Sequence, residues 1–469
     1  MTSAATALRI AGDMVALGKL SEAREVLAPI VAAPDPPPAV LWLAGRIAGL
    51  SSQPAAAIAL LERAIALAPK AAPIYEDLAF AWGAAGATAR ASEVLRAGIA
   101  TVGPDPRLVA TAAVYDLERL DRDAARARLA DPAARAIYPR VRALLAIHEG
   151  DWAAARDASA EAFELPPLDL PPSPPMTPPR YAPPPPASGR ARPKPTIATT
   201  LSPRGGALQR AALATWRGFV AELISVNTAA EIALLQPDHP DVRFVEARRD
   251  GAEMVGKPLV FLDDILDALA ATGAEHCGIV NGDIRLIDAD RLAADLAAAG
   301  PEALTACHRI DVDTAQSHDG ELYTTGFDAF FFSTARIDRF RGSRLLLGAP
   351  WWDYLLPALA VVDDIPMAIP THATIAHVRH AIQWSTVSYL VTGQLWLDRV
   401  RAAAAAAPGD VATEFIGPFL DQYVQANPWI EAPLSDDPDA IERQKLSLHQ
   451  LVTTINHLLR TQSRPVGAA

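Results

Sequence analysis

Between Ala4 and about Leu165, apolar positions recur at helical spacing, with Ala, Leu and Arg dominant and Gly18, Gly86, Gly103 and Gly150 punctuating the run. The pattern predicts helices that each bury one stripe. The run also repeats itself. Ala23, Ala57 and Ala91 stand 34 residues apart, as do Leu27, Leu61 and Leu95, and Gly18, Ser52 and Gly86. That is the length of a helix-turn-helix unit in which small residues let paired helices approach and a larger apolar residue fills between them. A weaker repeat spans Val109 to Leu129, and "RVRALLAIHEGDWAAARDASAEAF" predicts a further helical pair closing the stack.

From Pro166 to Pro195 the chain reads "PPLDLPPSPPMTPPRYAPPPPASGRARPKP". Each Pro removes a donor and fixes φ, which excludes helix interior and central strand and predicts an extended, semi-rigid spacer. After Thr196 strands and helices alternate. "TIATTLS", "ELISVN", "VRFVEA", "HCGIV", "ALTACH" and "GFDAFFFS" predict strands; Leu208, Ala212 and Trp216 mark one helix stripe, and Phe261, Ile265 and Leu269 another. This grammar predicts a mostly parallel sheet covered on both faces, with ligands bound beyond the carboxyl ends of its strands. Residues 386–469 become helical again, with stripes suited to covering that sheet, packing on the repeats or forming a dimer. The fold class is therefore multi-domain. An all-α helical-repeat domain (1–165) and a Pro-rich linker (166–195) precede an α/β Rossmann-like domain (196–385) and a helical C-terminal extension (386–469).

Composition narrows what such a chain does. At 469 residues and 51% hydrophobic content, it is long enough for two or three domains with real cores. A formal net charge of −12, with no basic block, argues against nucleic acid or anionic membrane as partner. A phosphate-bearing ligand would then need a metal ion, a few Arg side chains or backbone N–H groups. Cys277 and Cys307 are the only cysteines and lack zinc-type spacing, so they read as small core residues in a reduced compartment. The start lacks a basic region and carries Asp13 within its apolar part. No later stretch reaches about 18 uninterrupted apolar residues, so no transmembrane segment and a cytoplasmic location are expected.

Three places carry candidate chemistry. In "GIVNGDIRLI" a β-branched run is broken by Asn281-Gly282-Asp283. Either this is an ordinary turn, which Asn-Gly favours, or Asp283 stands at a strand end to hold a hard divalent cation. In "GAPWWDYLLP", Trp351 and Trp352 are an aromatic sugar platform beside a base, Asp353, or else core residues before a helix that Asp353 caps. In "THATIAHVRHAIQW", His372, His377 and His380 cluster although the chain has ten His. His377 and His380, at i and i+3, would share a helical face as metal ligands or belong to an exposed polar turn, and Arg379 would meet a diphosphate.

Two resemblances sharpen these readings. Ala44, Gly45, Ala57, Leu61, Ala64 and Pro69 fall where tetratricopeptide repeats place theirs, so the first domain resembles that family, which implies a platform for a protein partner. From about Thr196 to Ser385 the order of elements resembles the nucleotide-diphospho-sugar transferases, the GT-A type of glycosyltransferase. That resemblance makes Asn281-Gly282-Asp283 the counterpart of a D-x-D metal motif, with an amide in place of the first carboxylate. It implies Asp283 as metal ligand, His377 as the downstream His completing the site, and Mn2+ or Mg2+ as cofactor. It also implies that the strand ends "TTLSPRGG", "SVNT" and "VEAR" form a nucleotide pocket, with Ser202, Asn227 and Glu246 on the base or ribose; helix caps and turns are the alternative for each. The expected activity is divalent-metal-assisted transfer of a sugar from a nucleotide-sugar donor to an unknown glycan, lipid or protein acceptor, with Asp353 as the base on the inverting route. The alternative is a catalytically silent domain in a repeat scaffold, as Asn281 would permit. A nucleotidyl transferase would carry a Gly-x-Gly-Thr-Arg-type loop, where this chain has Ser-Pro-Arg-Gly-Gly.

Overall fold

Helices begin at Ala4, Pro38, Ala72 and Pro106, and their partners at Leu20, Pro54, Thr88 and Arg122, so both series keep the 34-residue step. The computed structural model describes all residues except 1–2, 17–18, 52, 86, 119–120, 164–179, 182–193, 324–325, 381–383, 408, 410, 435–436 and 468–469. It divides into two units, Met1–Thr177 and Pro178–Ala469.

The first unit is a stack of tetratricopeptide-like helical pairs. The repeating Ala23, Ala57, Ala91, Leu27, Leu61 and Leu95 are all buried, at 0 or 1% exposure. Small residues set the spacing: a Cβ on Gly45 would stand 2.7 Å from Leu61 Cγ. The weak fourth repeat keeps phase through Pro106–Glu118 and the short helix Arg122–Arg128, and Pro139–Glu149 with Trp152–Phe163 ends the stack. Inside it, buried Glu76 accepts hydrogen bonds from Thr111 (3.0 Å), Arg107 (3.1 Å) and Tyr138, which compensates the cost of burying a carboxylate.

Most of the Pro-rich segment lies outside the described residues. Within it, β1 (Arg180–Tyr181) pairs antiparallel with β9 (Gly320–Tyr323), so these two residues form an edge strand rather than free spacer.

In the second unit, β2 (Thr196–Thr199), β3 (Glu222–Asn227), β4 (Arg243–Glu246), β5 (His276–Val280), β7 (Leu304–Cys307), β10 (Ala329–Ser333), β11 (Met367–Pro370) and β13 (Ser463–Val466) form one sheet. Its order is β13-β11-β7-β10-β5-β2-β3-β4, and β10 alone runs against the rest. The six predicted strands are all present, but β13 was not expected. It adds a parallel edge strand from beyond the long C-terminal helix Pro438–Gln462, and Pro465 is tolerated at such an edge. β1, β9, β8 (Arg309–Val312), β12 (Ile375–Val378) and β6 (Ile284–Leu286) form a second, smaller sheet.

The chain crosses from the large sheet to the small one three times: β5 to β6 through Asn281-Gly282-Asp283, β7 to β8 through His308, and β11 to β12 through residues 371–374. All three crossings leave the carboxyl ends of large-sheet strands, so one seam gathers residues that lie far apart in sequence. Trp216 anchors the first crossing by donating its indole N–H to the Ile284 carbonyl at 2.8 Å, within a core that includes Ile197, Leu213, Val280 and Phe331. Cys277 and Cys307 are buried free thiols. Among the described residues no helix is long and apolar enough to cross a membrane.

Candidate metal and proton-transfer site

The turn after β5 is shaped by close approach. A Cβ on Gly282 would stand 2.6 Å from the Thr200 carbonyl oxygen, so only glycine lets the loop after β2 lie against this turn. Asp283 then projects from the seam with its side chain 33% exposed, toward His377 at the centre of β12 and His380 just beyond it. Asp283 Oδ2 is 3.6 Å from His377 Nε2 and 3.3 Å from His380 Nε2, and the two Nε2 atoms are 3.1 Å apart. Donors bound at about 2.1 Å to a tetrahedral or octahedral cation stand about 3.0–3.4 Å apart; two of these separations fall in that range and the 3.6 Å one lies just beyond it, so a small closure would let the three share an ion. His377 is also oriented from behind: its Nδ1 lies 3.2 Å from Asp311 Oδ1, the outer carboxylate that metal-ligating His residues commonly need. Of the predicted trio, His372 stands apart, with its Nδ1 3.0 Å from Thr371 Oγ1.

The expectation of a helix carrying His377 and His380 is corrected. His377 lies within the strand β12 and His380 two residues beyond its end, and their Nε2 atoms still meet.

Electrostatics bind the seam together. Burial opposes ionisation of Asp283, but hydrogen bonds and charge from His377 and His380 outweigh it and bring its carboxyl down to about 2. Burial likewise disfavours a charged His377, yet Asp283 and Asp311 lift its pKa to about 9. Arg309 joins Asp311 to Asp328, and its guanidinium sits 4.1 Å from the Tyr323 ring centroid. Buried Asp328, the residue just before β10, is the acid that stands beside the turn, and sequence reasoning missed it.

Asn281 has a physical reason to be an amide: its Nδ2 donates to Asp328 Oδ1 at 2.8 Å, and its N–H to the Asp328 carbonyl. A carboxylate here would face another across that distance. Asn281→Asp is expected to cost about 1–3 kcal/mol at pH 8. The paired acids would have raised native pKa values, so the lost stability should return as pH falls toward 5, measured as urea midpoints at the two pH values. Equal midpoints for mutant and wild type at pH 8 would refute this role.

Asp353 lies half-buried in the first turn of the helix Trp352–Val362, near Asp328 and Arg309. Burial, then the neighbouring charge of Asp328, pushes its carboxyl up to about 7. It does not cap the helix. Trp351 occupies the cap position in the left-handed region, φ 74°, where a bulky side chain costs about 1–2 kcal/mol. The turn presenting Asp353 is thus strained. Gly326 permits the approach, since a Cβ there would stand 2.2 Å from Asp353 Oδ2. Trp351 and Trp352 are core, each 3% exposed, and so are no sugar platform.

The remaining predicted residues scatter. Ser202 is exposed, and its Oγ accepts the Arg204 N–H in a turn. Glu246 is exposed at the end of β4. Asn227 is wholly buried; its amide donates to the Leu201 carbonyl (2.6 Å) and to Glu231 (3.1 Å), so it ties the β2 loop down and presents no atom to a nucleotide. The helix after it is capped by Thr228 instead. Arg379 is engaged by Asp313 (3.0 Å) and Glu321 (2.6 Å), two acids that a diphosphate would have to displace.

No protein-family model matches the chain, and no curated protein does. Among solved structures, a tetratricopeptide-repeat protein of Thermus thermophilus is 22% identical, with 35% of this chain and 91% of that one covered and a TM-score of 0.31. A mutant O-GlcNAc transferase of Thermobaculum terrenum is 14% identical over 97% of this chain and 95% of that one, at a TM-score of 0.26. A protein described as mannose-1-phosphate geranyltransferase, from Thermus thermophilus, is 12% identical over 44% and 78%, at 0.22. Likeness at this level assigns no activity.

Proposed function

We propose that the second unit is a metal-assisted glycosyltransferase that takes its sugar from a nucleotide-diphosphate donor. The observation that carries this reading is the seam itself. A carboxylate and two imidazoles converge there at metal-ligand separations, and a carboxyl with a pKa near 7 belongs to the same charged network, all at the carboxyl edge of a mostly parallel sheet.

Asp283, His377 and His380 would hold the cation. The mixed oxygen and nitrogen set suits Mn2+ better than Mg2+, which favours oxygen alone. A bound divalent ion would neutralise the donor's diphosphate and help it depart. Asp311 keeps the His377 ring turned so that Nε2 faces Asp283, and Arg309 fixes Asp311. Asp353 accepts the proton of the acceptor hydroxyl; a pKa near neutrality matches that task. The helical repeats recruit a partner or the acceptor.

Because His377 holds a proton up to about pH 9 and must lose it to bind metal, Mn2+ affinity is expected to rise about tenfold per pH unit toward that value and then level. Calorimetric titration at pH 6, 7 and 8 checks this; a flat profile would remove His377 from the ligand set. A second reading has one observation behind it. His377 sits between two carboxylates, as it would in a purely structural ion-pair network of a silent domain. A melting temperature unmoved by Mn2+ with uridine or guanosine diphosphate would favour that reading.

A further inference from the structure

Of the nine Trp residues, Trp384 is the only exposed one among the described residues, at 42%, and it lies four positions beyond His380. Its ring stacks on Tyr389 with centroids 5.5 Å apart and planes 23° from parallel. The geometry has a local cause. Ser385 caps the helix Thr386–Ala406 by accepting the Ser388 N–H, so Trp384 and Tyr389 flank the cap as a hydrophobic staple. A staple needs only an apolar side chain there. A Trp stacked on Tyr389 and still 42% exposed is a rigid aromatic surface with an apolar body and a polar N–H.

The stack leads to the seam. Tyr389 lies 5.5 Å from the ring of Trp351, which directly precedes the turn that presents Asp353, and the Tyr389 phenol is close enough to Asp353 to feel its charge. Trp351 also meets Tyr354, centroids 6.4 Å apart.

On the strength of the transferase reading above, we propose that the acceptor is a saccharide, whose ring lies on the exposed part of the Trp384 ring and whose chain passes Tyr389 to bring a hydroxyl to Asp353. The apolar C–H face of a sugar ring complements the negative face of an indole, while its hydroxyls remain free for polar partners. The reaction then balances. The acceptor's O–H proton goes to the Asp353 carboxylate, the oxygen's electron pair bonds to the donor's anomeric carbon, and that carbon's bond to the nucleotide diphosphate breaks with its electrons on the diphosphate.

The test is calorimetric titration of the full chain, with Mn2+ and uridine diphosphate present, against short oligomers of glucose, mannose, galactose and N-acetylglucosamine. Trp384→Leu keeps an apolar staple but loses the flat ring; Trp384→Tyr keeps a ring. At least one oligomer should bind the unaltered protein, about tenfold or more weaker to Trp384→Leu, and to Trp384→Tyr within about threefold of wild type. Equal binding by wild type and Trp384→Leu overturns the proposal, as does binding of phosphatidylcholine vesicles, in place of sugars, that depends on Trp384. Sugar-nucleotide hydrolysis by the unaltered protein, run in parallel, separates the two claims. Hydrolysis with no oligomer binding defeats the saccharide acceptor alone, whereas Trp384-dependent oligomer binding with no hydrolysis of any donor defeats the transferase reading.

Discussion

Asp283→Ala is expected to weaken Mn2+ binding by at least about a hundredfold and to abolish metal-dependent donor hydrolysis, because it removes the carboxylate among three donors. The fold should persist, since Asp283 is partly exposed and the backbone of its turn is held by Asn281, Gly282 and Asp328. His377 would still pair with Asp311. Calorimetry with Mn2+, alongside a thermal melt, reads both quantities. Unchanged Mn2+ affinity would show that the three donors are an ion-pair cluster and no metal centre.

Asp353→Asn is the second large effect and should separate cleanly from the first. Mn2+ and nucleotide binding should remain, while turnover falls by about 10²–10⁴, the usual contribution of a positioned base. In the unaltered protein, transfer should rise as pH increases through about 7, where the Asp353 carboxyl ionises, and the mutant's residual rate should lack that rise. Stability runs the other way. The native pKa lies above the unfolded value near 3.8, so the protonated group favours the fold at low pH and that advantage is lost as pH rises through 7. Above pH 7 Asp353→Asn should therefore be as stable as wild type or more so. A strongly destabilised mutant at pH 8 would assign Asp353 to structure rather than catalysis.

Much of this architecture was legible in the chain. The 34-residue step of Ala23, Ala57 and Ala91 is a packing constraint, and each of the three is buried where paired helices meet. Six of the eight large-sheet strands are apolar-centred runs bounded by turns, so they announce themselves locally; β11 and β13 did not. The small sheet is different. Its strands span two to four residues, and β6 and β12 are paired across some ninety positions, for example Arg285 with Ala376, which no window of sequence captures. One trace was present: "RIDV" alternates polar Arg309 and Asp311 with apolar Ile310 and Val312, the period of a half-buried strand. Read that way, it would have pointed to the two residues that orient His377 and hold Asp328.

Asp328 was missed for a related reason, and His380 was singled out only through its spacing from His377. Each matters through a neighbour 47 and 97 residues away, Asn281 and Asp283 respectively. Trp351 and Trp352 misled because adjacency in sequence says nothing about exposure, whereas the aromatic ring left open is Trp384, which the pattern did not single out.

The most direct test of the account is a hydrolysis screen of the unaltered protein across sugar nucleotides, with and without Mn2+, reading release of the nucleoside diphosphate. It needs no acceptor, so it interrogates the seam alone. Slow release from at least one donor, requiring Mn2+ and vanishing in Asp283→Ala, is the expected result. Release from none of them, or release indifferent to metal and to Asp283, would contradict it.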